Sequence, residues 1–352
     1  MVSKKLLWLQ AIFHTTAAEY TLTDLFTPQN FFSEFEFFNA PDPTAGSVRY
    51  VSAVEANAAG LAGYAQDAVY LGVDYTTTFP PTAPGRPSTR VQSKKSWPSG
   101  GLFVADIAHM PAGQNDTGSC GLWPAFWTYN RRLNRWPQGG EIDIIEGVNS
   151  HGTNSVVLHT DGSCPISGEG TLASTTLARA DCAGDVGCRQ QLGVEGAYGA
   201  EFNRRGGGVY VLEWTASSIS VWFFPRESGL AKTLSIHTPG INSTRTQTVS
   251  TAGFGQPVAR FASTPTCDLS THFSDQSIVF NTDFCGGWAG KDWSTDAVCS
   301  KLARTCEEYV GANPGAFEDA YWLINSVKVY QDRRAQVGGQ PGVRRRTVRF
   351  ES

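Results

Sequence analysis

No stretch of the 352-residue chain approaches the run of about 18 apolar residues that a membrane-spanning helix needs, so the mature product is expected to be soluble, with no membrane span. Basic charge is also short. Lys and Arg number 28 against 32 Asp and Glu, for a formal net charge of −4 and a pI near 5.9. With no general positive field, nucleic acid is not an expected partner. The zinc site that would compete with disulfides for the eight cysteines lacks its spacing, since there is no C-x-x-C pair and no histidine cluster. No compact acidic loop calls for calcium either; no metal and no cofactor is expected. Helix formers are not grouped into long periodic runs, there is no internal repeat, and nothing signals an oligomer, so a monomer is the expectation.

What is present suits one large β-domain with many turns: 41% hydrophobic residues, 17% charged, 37 Gly and 18 Pro. Val209–Trp214, the turn Thr215–Ser218, and Ile219–Phe224 predict a hairpin, while Gln276–Asn281 and Tyr321–Tyr330 are further strand-like segments. The spacing predicts an all-β, two-sheet antiparallel sandwich whose first and last strands both complete the sheets. Cys182–Tyr198 and Ala231–Pro257 are expected to be long loops. Aromatics reach 12%, including 10 Trp, more than packing requires, and flat amphipathic rings suit the apolar C–H faces of sugars. Trp123, Trp214 and Trp222 lie in strand patterns and are expected in the core. Trp136, in a Pro/Gly turn, is expected to be exposed.

The N-terminus reads as an export signal: a basic start over residues 1–5, a short apolar core from Leu6 to Phe13, and the small-residue site Thr16-Ala17-Ala18 before Glu19. That divides the chain into a signal peptide at 1–18, a main domain at 19–332 and a basic tail at 333–352. The tail carries Arg344, Arg345, Arg346 and Arg349 and no core-forming pattern, and is expected to be an inert, disordered extension. Export agrees with an even cysteine count, whose 105 possible pairings stay open, and with the sequons Asn115-Asp116-Thr117 and Asn242-Ser243-Thr244. The expected location is secreted, extracellular or in the cell wall.

The segment with chemistry in it is Glu141-Ile142-Asp143-Ile144-Ile145-Glu146, entered through Trp136-Pro137-Gln138-Gly139-Gly140. Alternation on a strand puts Glu141 and Asp143 on one face and Ile142 and Ile144 on the other. Glu146 has the wrong parity. It joins the other acids only if a β-bulge near Ile144 or Ile145 absorbs one residue. The two Glu Cα atoms then lie about four strand steps apart, roughly 13 Å. Long side chains leaning inward can close that gap toward the ~5–5.5 Å at which one carboxyl attacks a sugar and the other protonates the leaving oxygen. Asp143 between them couples to both and helps keep one Glu ionised and the other protonated.

This signature resembles that of glycoside hydrolase family 16, in its longer, bulged form. Gly121-Leu122-Trp123-Pro124-Ala125-Phe126-Trp127, Leu158-His159-Thr160, Gly207-Gly208-Val209-Tyr210 with Glu213-Trp214, Val221-Trp222-Phe223-Phe224-Pro225-Arg226, and Phe284-Cys285-Gly286-Gly287-Trp288-Ala289-Gly290 resemble segments of its fungal laminarinase branch in the same order. The resemblance runs from about Phe31 to Tyr330. It implies a β-jelly-roll with an open cleft, retaining endo-acting hydrolysis, and β-1,3 or mixed β-1,3/1,4-glucan as substrate. By position it makes Glu141 the nucleophile, Asp143 the assisting acid and Glu146 the general acid/base, with Arg90, Trp127, Trp136, His159 and Trp288 touching substrate. Two departures concern fine specificity: Gly287 where Asp often precedes this Trp, and Trp97 where Tyr is common. The alternatives are a glucan transglycosylase of the same fold and a non-catalytic β-glucan-binding protein; a binder would be expected to lose one or both Glu.

Overall fold

The computed structural model describes residues 18–80, 82–113, 119–133, 135–236 and 247–332; all but the last residue of the expected signal peptide, both sequons and the Arg-rich tail lie outside them. Two antiparallel sheets, of nine and eight strands, face each other. The eight-stranded sheet runs in space Thr175–Arg179, Cys188–Leu192, Ser155–His159, Glu141–Glu146, Leu122–Asn130, Gln276–Phe284, Arg90–Ser93, Phe35–Phe37. In the nine-stranded sheet, Glu19–Phe26, Trp322–Asp332, Gly101–His109, Gly208–Trp214 and Ser218–Pro225 lie side by side. Alternation sends Phe126, Ile142, Ile278 and Phe280 from one sheet, and Phe103, Ile107, Tyr210, Val221 and Val327 from the other, into one shared core. The architecture is the β-jelly-roll sandwich.

The predicted hairpin pairs from Gly208 with Pro225 to Trp214 with Ile219. Its turn is held by the Thr215 hydroxyl, which accepts from the amides of Ser217 and Ser218. First and last described strands pair from Tyr20 with Asp332 to Phe26 with Val327, so the two ends of the described chain lie side by side in one sheet. All eight cysteines are joined, as Cys120–Cys299, Cys164–Cys267, Cys182–Cys188 and Cys285–Cys306. Among the described residues no helix is long and apolar enough to cross a membrane.

Two expected loops contain structure. Within Cys182–Tyr198, residues Cys188–Leu192 form a strand paired on both sides. Its buried Cys188, Gln190 and Leu192 alternate with half-buried Arg189 and Gln191, an alternation too short to stand out among glycines. Within Ala231–Pro257 the described part holds most of a helix, Gly229–Ser235, and a short strand, Thr248–Ser250. The Ser228 hydroxyl caps that helix by accepting from the Ala231 amide.

Candidate active site

Pairing along the acid-bearing strand breaks in the middle. Glu141, Ile142 and Asp143 oppose Tyr129, Thr128 and Trp127; then Ile145 and Glu146 oppose Phe126 and Ala125. Ile144 is the extra residue, so the bulge lies at the first of the two expected positions. Ile144 and Ile145 are both fully buried in the core, and Glu146 returns to the face of Glu141 and Asp143. The entry turn needs its glycines. Gly139 and Gly140 have φ of 74° and 75°, and a Cβ on Gly140 would sit 2.3 Å from the Phe273 ring.

Each acid heads a cross-strand row on the open face of the eight-stranded sheet. Glu141 lies between His159 and Tyr129. Asp143 lies between Val157 and Trp127, and the row continues through Val279 and Gln92 to Glu36. Glu146 faces Ala125, followed by Asn281 and Arg90. Small Ala125, flanked along its strand by Trp123 and Trp127, leaves room in front of Glu146 within an otherwise aromatic face.

Indole N–H groups hold the two glutamates from opposite ends. Trp136 donates to Glu141 Oε2 at 2.8 Å and Trp123 to Glu146 Oε1 at 2.7 Å. His159 stands beside Glu141 and Asp143, its Nε2 at 3.9 Å from one carboxyl oxygen and 3.4 Å from the other. Its Nδ1 lies 2.8 Å from the Gly184 carbonyl, which only accepts, so Nδ1 carries hydrogen and Nε2 faces the acids. Asp143 Oδ2 is buried and makes no hydrogen bond.

Burial dominates the electrostatics. It pushes Glu141, Asp143 and Glu146 each up to about 8, and the charge of Asp143 adds to the rise of both glutamates. Opposing this, Arg189 favours ionised Asp143, the Trp123 hydrogen bond favours ionised Glu146, and His159 favours ionised Glu141. The site retains protons at neutral pH, which general acid catalysis by a carboxyl requires. Glu141, Asp143 and His159 offer ligand atoms within 4.8 Å of one another; these belong to the acid cluster itself.

All five other expected residues gather on this face. Trp136 is 46% exposed, as expected, and its ring lies 5.3 Å from that of His159. Trp127 donates to Asn281 Oδ1 at 2.7 Å. Arg90 is buried, its guanidinium over the rings of Phe38, Tyr50 and Trp127, so it is not a plain surface charge. Trp288 meets Trp123 edge to face at 5.9 Å and lies under the Arg189 guanidinium at 4.4 Å. Trp214 and Trp222 are buried as expected, but Trp123 is not a core residue. It is half-buried on the open face, because it shares the parity of Trp127 rather than that of Phe126. Arg189 and Asn281 were not foreseen; the signal for Arg189 was the five-residue alternation Cys188–Leu192.

A family model described as "XgeA-like, catalytic GH16 domain" matches residues 35–330. The chain is 42% identical over 339 residues to an endo-1,3(4)-beta-glucanase of Arthroderma benhamiae, covering 94% of this chain and 69% of that protein. It is 41% identical over 321 residues to a probable endo-1,3(4)-beta-glucanase of Aspergillus clavatus, covering 89% of this chain and 46% of that one. The chain thus spans about half to two thirds of the length of these curated relatives. Among solved structures, GH16 Laminarinase 16A of Phanerochaete chrysosporium, with β-glucans in both donor and acceptor sites, superposes with a TM-score of 0.77. An elongating GH family 16 beta-1,3-glucosyltransferase superposes with a TM-score of 0.75. Each is 38% identical and covers 89% of this chain and 100% of its own. From the acid motif, the bulge that orders it and the match over most of its length, the chain belongs to glycoside hydrolase family 16.

Proposed function

We propose that this chain is an endo-acting, retaining glycoside hydrolase that cleaves β-1,3- and mixed β-1,3/1,4-glucans such as laminarin and lichenan, with residues 19–332 as the catalytic domain. The observation that carries the reading is the bulge at Ile144, which sets three acids on one face of one strand within an open aromatic surface. Glu141 attacks the anomeric carbon and forms a glycosyl ester, while Glu146 gives its proton to the departing glycosidic oxygen. Glu146 then takes a proton from water, the water oxygen bonds to the anomeric carbon, and Glu141 leaves as carboxylate. Two inversions return the β configuration. Asp143, between the glutamates and against His159, takes up or releases charge as the proton need of the pair changes.

Arg90, Trp127, Trp136, His159 and Trp288 form the proposed glucan surface, with Arg189 added at the Trp288 rim. Four disulfides support secretion into an oxidising compartment. The glucosyltransferase neighbour supports a second reading, in which an acceptor sugar replaces water in the second step. Retention of both glutamates favours either catalytic reading over a non-catalytic binder. Incubation with laminarin, lichenan, xyloglucan and chitin, followed by NMR, tests the assignment: initial β-configured oligosaccharides are expected from the first two only. Glu141→Gln should lower kcat on the order of 10³-fold or more with glucan affinity nearly kept; substantial residual hydrolysis would remove Glu141 as nucleophile.

A further inference from the structure

The bulge that brings Glu146 to the acid face takes two backbone groups out of the regular strand ladder, the Ile144 carbonyl and the Glu146 amide. One side chain takes up both. Asn154 is fully buried immediately before the neighbouring strand Ser155–His159. Its Oδ1 accepts from the Glu146 amide at 2.8 Å, and its Nδ2 donates to the Ile144 carbonyl at 2.9 Å while reaching the Tyr210 hydroxyl at 3.4 Å. The orientation of this carboxamide is forced, because an N–H only donates and a C=O only accepts. Its own backbone is fixed too, since the Asn154 carbonyl accepts from the Leu192 amide at 2.9 Å. Tyr210 belongs to the opposite sheet and donates to the Ala197 carbonyl, so the clamp is tied through the core.

We propose that Asn154 is a positioning residue that locks the Ile144 bulge and thereby holds Glu146 where it can deliver its proton. An acceptor and a donor are needed side by side at this depth. Asp supplies acceptors only, and Ala supplies neither and leaves two buried backbone groups unpaired. Loss of the clamp frees the strand to relax toward regular register, which turns Glu146 away from the acid face. The effect falls on the acid/base and not on Glu141, which lies three residues before the bulge in unbroken pairing with Tyr129 and His159. The inference rests on the proposed hydrolase reading.

The test compares two leaving groups. Laminarin departs as an alcohol and needs the proton of Glu146, whereas 2,4-dinitrophenyl β-laminaribioside releases a phenolate that needs none. For Asn154→Ala, laminarin turnover is expected to fall about 100-fold with KM within about threefold, while the initial burst of dinitrophenolate falls no more than about threefold. Sodium azide should then restore turnover of the aryl substrate. Azide bonds to the anomeric carbon of the glycosyl ester and expels the Glu141 carboxylate, with no proton to be removed, and the β-glycosyl azide is the product to be identified by NMR. Equal losses on both substrates, with no response to azide, would overturn the proposal, because a merely destabilised enzyme loses both activities in proportion. If Asn154→Ala does not fold, Asn154→Asp keeps the side-chain volume and the bond to the Glu146 amide, and the same contrast between substrates is expected at smaller amplitude. A wild-type protein that cleaves neither substrate would instead refute the hydrolase reading itself.

Discussion

At the scale of single residues the site is governed by what two buried carboxyls, Asp143 and Glu146, and a partly buried third, Glu141, can afford to ionise. In the folded chain Glu141 and Glu146 lie at about 8 against an ordinary value of 4.5, and Asp143 at about 8 against 3.8. Raised acids mean that folding takes up protons. Their contribution to stability is whole below about pH 4 and is lost as pH rises through about 8. Activity should share that alkaline limit: in the proposed mechanism kcat/KM falls through about pH 8 as the cluster loses the proton assigned to Glu146. Glu141→Gln removes one of the like charges. It should therefore melt about 2 °C or more above the wild type near pH 9 and show little difference near pH 4. Calorimetry across pH checks this, and an equal shift at both ends would contradict the charge argument. The three acids were legible in sequence because Glu141 and Glu146 are spaced with opposite parity, a violation of alternation that asks for a bulge. Trp123 was misread, since strand pattern alone gives alternation but not which parity faces the core. Arg189 was hidden in a segment whose glycines outweighed its short alternation.

At the scale of elements, the strand carrying His159 depends on a small loop beside it. Cys182–Cys188 closes that loop, the Gly184 carbonyl in it fixes the His159 ring, and Gly187 passes close behind. Gly187 has φ of 63°, and a Cβ there would lie 2.5 Å from the Leu158 carbonyl oxygen and 2.9 Å from His159 Cε1. Gly187→Ala is therefore expected to cost roughly 2–3 kcal/mol, through the left-handed backbone and the clash, and to lower kcat by displacing the imidazole. Urea unfolding and steady-state kinetics on the same preparation measure both; unchanged kcat would show that the loop does not position His159. Hairpins such as Gly208–Trp214 with Ser218–Pro225 were readable because both strands are long and the turn is polar. The Asn154 clamp was not readable, because its partners are backbone groups that leave the ladder only once the position of the bulge is known.

At the scale of the whole molecule, two of the four disulfides brace the segment bearing Trp288, a third, Cys182–Cys188, closes the loop beside His159, and the fourth, Cys164–Cys267, lies in the main core. Cys120–Cys299 and Cys285–Cys306 sit inside a second hydrophobic cluster, with Phe284, Trp293, Tyr309 and Phe317, and fasten the segment bearing Trp288 to the start of the strand Leu122–Asn130. Cys120–Cys299 spans 179 residues and Cys182–Cys188 only 6. Chain entropy grows with the logarithm of that separation, giving about 5 kcal/mol for the first and about 2 kcal/mol for the second. Removing each pair as a double Cys→Ala variant should consequently reverse the order of the two readouts. Loss of Cys120–Cys299 is expected to lower stability more while leaving kcat within about threefold, its functional cost falling on KM through the Trp288 rim. Loss of Cys182–Cys188 is expected to lower stability less yet reduce kcat further, because the Gly184 carbonyl then no longer holds the tautomer and angle of His159. Denaturant melts and laminarin kinetics on the two variants decide it. A stability loss and a kcat loss that rise together would mean that the active site only reports the global fold, and that the short link has no local role.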